Sequence, residues 1–142
     1  MTKRQDPMIT DNATDAYSSF TVTDLESTRT FYHDVLGLQV EDRDAMLTIR
    51  LPGGASAVAY ASRNHQPARF TILNIVVADL PSTVADLTRR GVDFEHYEGV
   101  QIDSDGIYRA NGPWFAWFTD PSGNVLAVCE RDLRTAGARR TG

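Results

Sequence analysis

The strongest pattern of apolar and polar positions lies near the end of the chain, at residues 114–130. Two runs of aromatic, β-branched and aliphatic residues flank the sequence Asp-Pro-Ser-Gly at residues 120–123. Proline presets φ for a type I turn and glycine supplies the left-handed position, so the pattern predicts a β-hairpin with a three-residue loop. Counting outward from the loop predicts three cross-strand pairs, Asp120 with Asn124, Trp117 with Ala127, and Phe115 with Cys129.

Ahead of the hairpin, one order of elements occurs twice. The first copy predicts a half-buried strand, an amphipathic helix that ends at Gly37, and three short strands, at residues 17–23, 25–36, 38–41, 46–51 and 56–61. The second copy predicts a strand, a helix that ends at Gly91 and a further strand, at residues 69–78, 80–90 and 92–97. A capping aspartate, Asp24 or Asp79, precedes each helix, and the seven residues from Val22 match those from Val77 at five positions. The repeat predicts an α+β fold made of two βαβββ modules.

The length of 142 residues predicts one domain with a full hydrophobic core. We expect a loose N-terminal arm, a single domain with its two modules, and a flexible basic tail, at residues 1–15, 16–130 (modules 16–62 and 69–130) and 131–142. Residues 99–112 form a long loop, which is either a lid or an ordinary surface excursion. Within that loop, Asp103-Ser-Asp105-Gly resembles the start of a calcium loop, but Trp114 stands where the closing glutamate belongs, so we expect a turn.

The net charge of −5 and the lack of a basic stripe oppose nucleic acid as a partner. The single cysteine, Cys129, cannot form an internal disulfide, and no apolar run is long enough for a membrane span or a signal peptide. We therefore expect a soluble cytoplasmic protein with no membrane partner.

Three segments resemble the vicinal oxygen chelate superfamily, which includes glyoxalase I, extradiol dioxygenases, fosfomycin-resistance enzymes and bleomycin-resistance proteins. They are Val-Thr-Asp-Leu-Glu at residues 22–26, Phe-Tyr-His-Asp-Val-Leu-Gly-Leu at 31–38, and Trp-Phe-Thr-Asp-Pro-Ser-Gly-Asn at 117–124. The resemblance implies a pair of modules whose sheets curl into an open cup, with helices outside and the active site inside. Because members of this superfamily often dimerise, it also implies a homodimer.

Metal-dependent members of the superfamily carry one ligand on each of four strands, and the resemblance implies where these ligands would stand. Those positions hold Tyr17, Ile72 and Ala127, and residues 54–62, which include the fourth position, contain no His, Asp, Glu or Cys. Neutral and apolar side chains leave a divalent ion without charge compensation or coordination. We therefore expect no metal and no other cofactor.

The face of the sheets that looks into the implied cup supplies the candidate site. The predicted ligand-binding residues on it are Tyr17, Ser19, Tyr60, Asn74, Phe115, Trp117 and Cys129. Thr21, Ile72 and Ala127 are expected to line the same face. The alternative is that the aromatic residues close the cup as core; Tyr60 could equally pack under the helix, and Cys129 reads better as a buried structural thiol than as a nucleophile.

The remaining polar candidates are scattered. The three histidines of the chain do not form a recognisable site, although a remodelled metal centre could be built from His96, Glu98 and Glu130. On the face opposite the candidate site, Ala116 and Phe118 are expected to pack against a helix together with Trp114.

Two functions from different classes fit this sequence. The first is a metal-independent small-molecule binder of the bleomycin-resistance type, with an aromatic or cationic ligand and a homodimer that could complete the pocket. The alternative is a lyase, isomerase or dioxygenase with a non-standard or metal-free active site that uses groups such as Tyr17, Tyr60 or Glu130 for proton transfer. A structural dimerisation module with a collapsed cup ranks third.

Overall fold

Two mixed sheets and two helical segments make up the fold, in a computed structural model that describes residues 6–131 of the chain. The strands are β1 (Ser18–Val22), β2 (Gln39–Arg43), β3 (Met46–Arg50), β4 (Ser56–Ala61), β5 (Thr71–Val76), β6 (Phe115–Thr119) and β7 (Val125–Cys129). The helices are α1 (Leu25–Arg29), which continues as a π-helical segment (Thr30–Val35), and α2 (Leu80–Arg89). Short 3-10 turns lie at Ile9–Asp11 and Pro52–Gly54. The predicted α+β class is confirmed.

The two sheets repeat one topology. The first sheet has the strand order β1-β4-β3-β2 and the second has the order β5-β7-β6. In each, the first strand of the module pairs in parallel with the last, and the other neighbours are antiparallel. The internal duplication predicted from the aspartate-capped helices is therefore present in three dimensions.

The second module departs from the prediction at one strand. Residues 92–97 form no strand; a single backbone bond, from Glu95 N–H to the Trp117 carbonyl at 2.7 Å, joins them to the outer edge of β6. The next part of that edge is taken by Tyr108, whose backbone exchanges two bonds with Phe115, at 2.7 and 3.1 Å. Because two segments share the edge of β6, neither of them makes a full ladder.

The first helix also differs from a regular α-helix. It begins at Leu25 after Asp24, whose carboxylate accepts a bond from Ser27 N–H at 2.8 Å, as the capping prediction requires. From Thr30 the turns widen, and Leu36 N–H bonds to the Phe31 carbonyl five residues back, at 3.0 Å. Tyr32 lies within these wide turns and is fully buried in the core.

The hydrophobic core lies between the helices and one face of each sheet. Alternate strand residues point into it, as period-two alternation predicts. The first sheet contributes Phe20, Val22, Leu47, Ile49, Ala57 and Ala59, and the second contributes Leu73, Ala116, Phe118, Leu126 and Val128. The Phe118 ring lies 6.2 Å from that of Phe31 on the helical segment, so Phe118 faces a helix as predicted. Ala116 is fully buried, and Trp114 is partly buried and packs against the core.

The closing hairpin has the predicted register. Trp117 pairs with Ala127, Phe115 pairs with Cys129, and Asp120 N–H bonds to the Asn124 carbonyl at 2.9 Å. The turn places Gly123 at φ 84°, with Pro67 so close that a Cβ would stand 3.0 Å from the proline Cβ. Glycine is thus required here both for the backbone conformation and for the approach of the linker, residues 63–68, which connects the two modules.

The ends of the chain frame this domain. Residues 6–15 are all exposed and contain the first 3-10 turn. Residues 1–5 of the expected arm and 132–142 of the expected tail lie outside the described residues, and the division into arm, domain and tail stays a prediction. No helix in the described part of the chain is long and apolar enough to cross a membrane.

Candidate ligand-binding site

The turn that closes the β6–β7 hairpin, residues 120–124, is built around a buried carboxylate. Asp120 is 4% exposed, and its Oδ1 accepts bonds from the backbone N–H groups of Ser122 and Asn124, both at 2.9 Å. Its Oδ2 accepts from the Tyr32 hydroxyl at 2.8 Å and from the Asn124 side-chain amide at 3.1 Å. Burial, and then the charge of Asp120, raise the pKa of Tyr32, so its hydroxyl keeps its proton and continues to donate.

The same closing turn holds the two modules together. Ser122 Oγ accepts from Thr23 N–H at 2.9 Å, and the Asn124 side-chain amide donates to the Thr21 carbonyl at 2.9 Å. His65 of the linker lies between them, with Nε2 2.8 Å from the Ser122 carbonyl and Nδ1 2.7 Å from Thr21 Oγ1. Since a carbonyl only accepts, Nε2 carries the hydrogen of the bond to Ser122. The turn therefore fixes β1, the linker and the second sheet relative to one another.

Four aromatic side chains lie together on the face of the second sheet that points away from the core. The rings of Phe115 and Trp117 stack, with centroids 5.7 Å apart and an interplanar angle of 7°. The rings of Tyr97 and Tyr108 lie 5.7 and 5.9 Å from that of Trp117. Trp117 is the centre of this aromatic cluster and contacts each of the other three rings.

A cleft of about 620 Å³ opens beside the aromatic cluster. Its walls are Trp117, Tyr97, Val125 and the segment of residues 67–71, which includes Phe70. Tyr97 is 39% exposed and Phe70 is 71% exposed, and Trp117 is half-buried, so three rings are accessible from the cleft. We name it the aromatic cleft. Burial, and then the charge of Glu95, raise the pKa of Tyr97, so its phenol is a neutral donor at physiological pH.

A second cleft of about 650 Å³ shares residues 67–71 with the aromatic cleft. It is lined by that segment and by β1, and we name it the β1 cleft. Beyond residues 67–71, the lining comprises Ser18, Ser19, Phe20, Thr21, Gln66, Ile72 and Asn124.

The seven predicted ligand-binding residues are spread over these features. Trp117 lines the aromatic cleft and Phe115 stacks on it, so the structure brings these two together. Ser19 lines the β1 cleft, and Asn74 lines a third cleft, of about 420 Å³, beside the 3-10 turn Pro52–Gly54.

The other three predicted residues line none of these three clefts. Tyr17 precedes β1 and is 65% exposed, and Tyr60, on β4 of the other sheet, is 41% exposed and paired with Thr21 and Met46. Because Tyr60 points away from the core, it does not pack under the helix. Cys129 is 4% exposed, and burial raises the pKa of its thiol, which suits a structural thiol better than a nucleophile.

Two residues of the aromatic cleft were not foreseen from the sequence. Phe70 belongs to an apolar run predicted as strand, but β5 begins one residue later and leaves the ring outside the sheet. Tyr97 is the last residue of a segment predicted as strand that forms coil instead, and its ring turns toward Trp117. The useful signal in both cases is a bulky aromatic residue at the end of an apolar run, beside a charged or polar neighbour.

The positions where the superfamily's metal ligands would stand do not fit a divalent ion. Ala127 is fully buried beneath its neighbours, Ile72 packs against the core, and Tyr17 lies outside β1. Within residues 6–131, no group of three or more His, Cys, Asp or Glu side chains is placed to hold a metal. The alternative centre from His96, Glu98 and Glu130 is therefore wrong: His96 Nε2 contacts the Asp103 carbonyl at 3.1 Å, and Glu130 accepts from Trp114 N–H at 3.4 Å.

The loop at residues 99–112 is tied to the sheet. Its Ile107 is fully buried, and Arg109 forms an ion pair with Asp103 while its guanidinium lies 4.7 Å from the centre of the Trp114 ring. The predicted turn is confirmed by bonds from Gly106 N–H to the Asp103 carbonyl and from Ile107 N–H to Asp103 Oδ1, both at 3.0 Å. These contacts describe an anchored loop that supplies Tyr108 to the aromatic cluster.

Comparison with solved structures identifies chains of the same fold. A glyoxalase family protein from Enterococcus faecalis aligns with a TM-score of 0.60 at 21% sequence identity, covering 80% of this chain and 94% of that chain. Oxidase ChaP-H2 aligns with a TM-score of 0.64 at 20% identity, covering 84% and 94% of the two chains. TnmS3, an antibiotic binding protein from Streptomyces sp. CB03234, aligns with a TM-score of 0.61 at 21% identity, covering 83% and 97%. At these identities the alignments show a common fold.

Comparison at the level of sequence agrees with the fold. No curated protein sequence gives a significant match. A family model does match, over residues 15–128, which include both modules and the aromatic cleft. The chain therefore belongs to the glyoxalase/bleomycin resistance protein/dioxygenase superfamily.

Proposed function

We propose that this protein binds a planar aromatic small molecule in the aromatic cleft, without a metal ion. The observation that carries the proposal is the position of Trp117, which is half-buried in the wall of the cleft and backed by the parallel Phe115 ring. An indole held in place by a stacked neighbour is a preorganised surface for a second ring.

The surroundings of Trp117 support the same kind of ligand. Phe70 and Tyr97 leave large apolar areas in contact with water at the walls of the cleft. Covering such rings removes apolar surface from water, and each offset or edge-to-face ring pair contributes about 0.5–1.5 kcal/mol beyond the area effect. The volume of about 620 Å³ suits a ligand of several fused rings. A positively charged ring system would add cation–π attraction to Trp117.

The proposal of metal-free binding rests on the side chains at the superfamily's ligand positions. A methyl group at Ala127 and an aliphatic chain at Ile72 offer no lone pair to an ion. Sequestration of a ligand needs no reacting group, so an apolar cleft with a few hydrogen-bond donors is sufficient for it. TnmS3, which shares the fold, is an antibiotic binding protein, and we propose an antibiotic-like aromatic compound for this chain too.

The test uses the fact that the chain has two tryptophans. Trp114 lies outside the aromatic cleft under Arg109, so the variant Trp114→Phe leaves Trp117 as the sole indole reporter. We expect planar aromatic compounds, added as a panel of fused-ring quinones, coumarins and cationic dyes, to quench its fluorescence saturably, with and without chelator. The matched variant Trp117→Phe retains Trp114 and should show no saturable quenching.

Two results would contradict the proposal. One is a panel in which no compound quenches Trp117 or raises the melting temperature. The other is binding that disappears after chelation and returns with a divalent metal, which would favour the enzyme alternative. That alternative is tested by chelator-sensitive turnover of hemithioacetal, catechol or thiol-transfer substrates.

We further propose that the protein is a homodimer in the cytoplasm. Met46, Tyr60 and Val76 leave between 41% and 52% of their surface exposed on sheet faces that point away from the core. A second copy of the chain is the simplest cover for such a surface. Light scattering at micromolar concentration should give twice the chain mass of 15.7 kDa, and a mass that stays at one chain would contradict the dimer.

A further inference from the structure

The β1 cleft carries an inference that rests on the proposed function and extends it. We propose that the aromatic ligand of this protein bears a short peptide-like arm, and that an amide of this arm pairs with the open backbone edge of β1 at Ser19. The ring would occupy the aromatic cleft, the arm would cross residues 67–71, and the amide would lie in the β1 cleft.

Every second residue of β1 directs its backbone groups to the free edge of the strand. This strand pairs with β4 on one side and is the edge of its sheet on the other. On the free side, the Thr21 carbonyl accepts from Asn124 and Thr23 N–H donates to Ser122 Oγ, each at 2.9 Å. Residues two apart in a strand direct their backbone groups to the same edge. The N–H and C=O of Ser19 therefore point to the same free edge, beyond the two groups that the closing turn has already paired.

The free edge of β1 faces the β1 cleft. β5, the edge strand of the other sheet, forms no ladder with β1 among the described residues, and Ser19 and Ile72 line the space beside them. An edge strand with free backbone groups is a template for another extended chain. The cleft is about 650 Å³ in volume, which is enough for a short arm and too small for a folded partner.

The free backbone groups of Ser19 determine which chemical group of a ligand can bond there. The N–H and C=O of one residue present a donor and an acceptor side by side, which an amide matches with its own acceptor and donor. The hydroxyls of Ser18 and Ser19 add neutral hydrogen-bonding groups, and Arg69 is the charged member of the lining. A neutral arm with amides therefore complements the cleft better than a multiply charged arm.

The aromatic cleft and the β1 cleft adjoin along a shared segment. Residues 67–71 line both, so a single backbone segment separates the aromatic cleft from the β1 cleft. Such a segment is on the order of 5 Å wide, and one extended residue spans about 3.5 Å, so two glycyl units bridge it. Phe70 stands on this segment with 71% of its surface exposed, and a ligand that crosses it would cover the ring.

The experiment compares three coumarin probes with the Trp114→Phe protein, followed by Trp117 quenching and by calorimetry. The probes are 7-amino-4-methylcoumarin, its N-acetyl-glycyl-glycyl conjugate, and the same conjugate with both glycines N-methylated. We expect the glycyl conjugate to bind about tenfold more tightly than the free coumarin, the gain of one to two net hydrogen bonds. The N-methylated conjugate, which lacks the two glycyl N–H donors and keeps only the anilide N–H beside the ring, should return to within about threefold of the free coumarin.

Two variants of one residue place the arm on β1. Ser19→Pro removes the backbone N–H at an edge position that tolerates proline, and should abolish the tenfold gain while the free coumarin binds as before. Ser19→Ala removes only the hydroxyl, keeps the backbone N–H and C=O, and should retain most of the gain. Circular dichroism and the melting temperature show whether each variant is folded, and the N-methylated probe tests the same bond on the unaltered β1.

The outcomes separate this inference from the proposed function. Equal affinity for all three coumarins, or a gain that survives both N-methylation and Ser19→Pro, would overturn the amide arm and leave aromatic binding intact. Failure of every coumarin probe, and of the quinones and cationic dyes, to quench Trp117 or raise the melting temperature would overturn both.

Discussion

Removing the Tyr32 hydroxyl tests the buried carboxylate that organises the closing turn. In Tyr32→Phe, Asp120 loses one of its four hydrogen-bond donors. The other three already bond to it, and water cannot take the lost place because Asp120 is only 4% exposed. A hydrogen bond to a charged group contributes about 1.5–3 kcal/mol, and the phenyl ring preserves the packing. At about 4 °C per kcal/mol for a domain of this size, we expect the melting temperature to fall by about 6–12 °C.

The pH dependence gives this prediction a second, independent readout. The pKa of Tyr32 is raised in the folded protein, while in the unfolded chain it is about 10. Below pH 10 both states hold the proton, and the contribution of the bond is complete. Above pH 10 the unfolded state loses the proton and the folded state keeps it, so the free energy of unfolding falls by up to about 1.4 kcal/mol per pH unit. The difference between the native protein and Tyr32→Phe should therefore shrink as pH rises above 10.

The assay is urea denaturation at pH 7, 9 and 10.5, followed by far-ultraviolet circular dichroism. Tyr17→Phe is the matched control, because it removes the hydroxyl of a tyrosine residue that is 65% exposed and should leave stability unchanged within about 0.5 kcal/mol. A loss below about 0.5 kcal/mol for Tyr32→Phe at pH 7 would refute the role assigned to this bond. So would a difference between the two proteins that does not depend on pH.

Three further predictions concern the rest of the fold. Gly106→Ala should lower the free energy of unfolding, measured in urea, by about 2–4 kcal/mol, because φ is +97° and the new Cβ would stand 2.7 Å from Phe94 Cβ. Gly99→Ala is the control: with φ at +81° and open space around it, it should lower the free energy of unfolding by about 1–2 kcal/mol. An equal loss at both glycines would contradict the role of the close approach. Asp79→Ala should cost about 1 kcal/mol, since its carboxylate caps α2, and Asp79→Asn should cost less; equal losses would argue against a capping role. Cys129 should react with a disulfide reagent only after unfolding, because the thiol is buried and its pKa is raised, and rapid reaction of the native protein would show that the strand opens.

Sequence reasoning succeeds here where local chemistry determines the structure. The Pro-Ser-Gly loop sets the hairpin register by itself, so the pairing of Trp117 with Ala127 followed from counting. The aspartate caps and the glycine stops likewise gave the helix ends to within one or two residues, because capping depends on neighbouring backbone groups.

It fails where the outcome depends on contacts between distant segments. Nothing near Tyr32 in sequence indicates that its hydroxyl bonds to Asp120, since the partner lies 88 residues away. The strand expected at residues 92–97 has the right apolar pattern, but Tyr108 of the following loop takes part of the β6 edge that it would need. His65 seemed an ordinary linker residue because both of its partners come from other elements.

The candidate site shows the same division. Phe115 and Trp117 were found because they belong to the hairpin, where alternation fixes the exposed face. Phe70 and Tyr97 were not, because Phe70 stands one residue before β5 and Tyr97 lies in a segment that forms coil in place of the expected strand. The orientation of such residues depends on where a strand stops, and the ends of elements are what a sequence pattern determines least well.

The hydrogen bonds of residues 120–124 to both modules have a consequence for how the chain could be divided. Arg63 and Asn64 are exposed in a turn of the linker, ahead of the histidine that bonds to the closing turn. A protein cut between them would keep each sheet whole, together with every bond that joins the two pieces at the turn. The halves should thus reassemble when mixed, which would make this scaffold a split reporter whose reconstitution depends on non-covalent contacts between the modules.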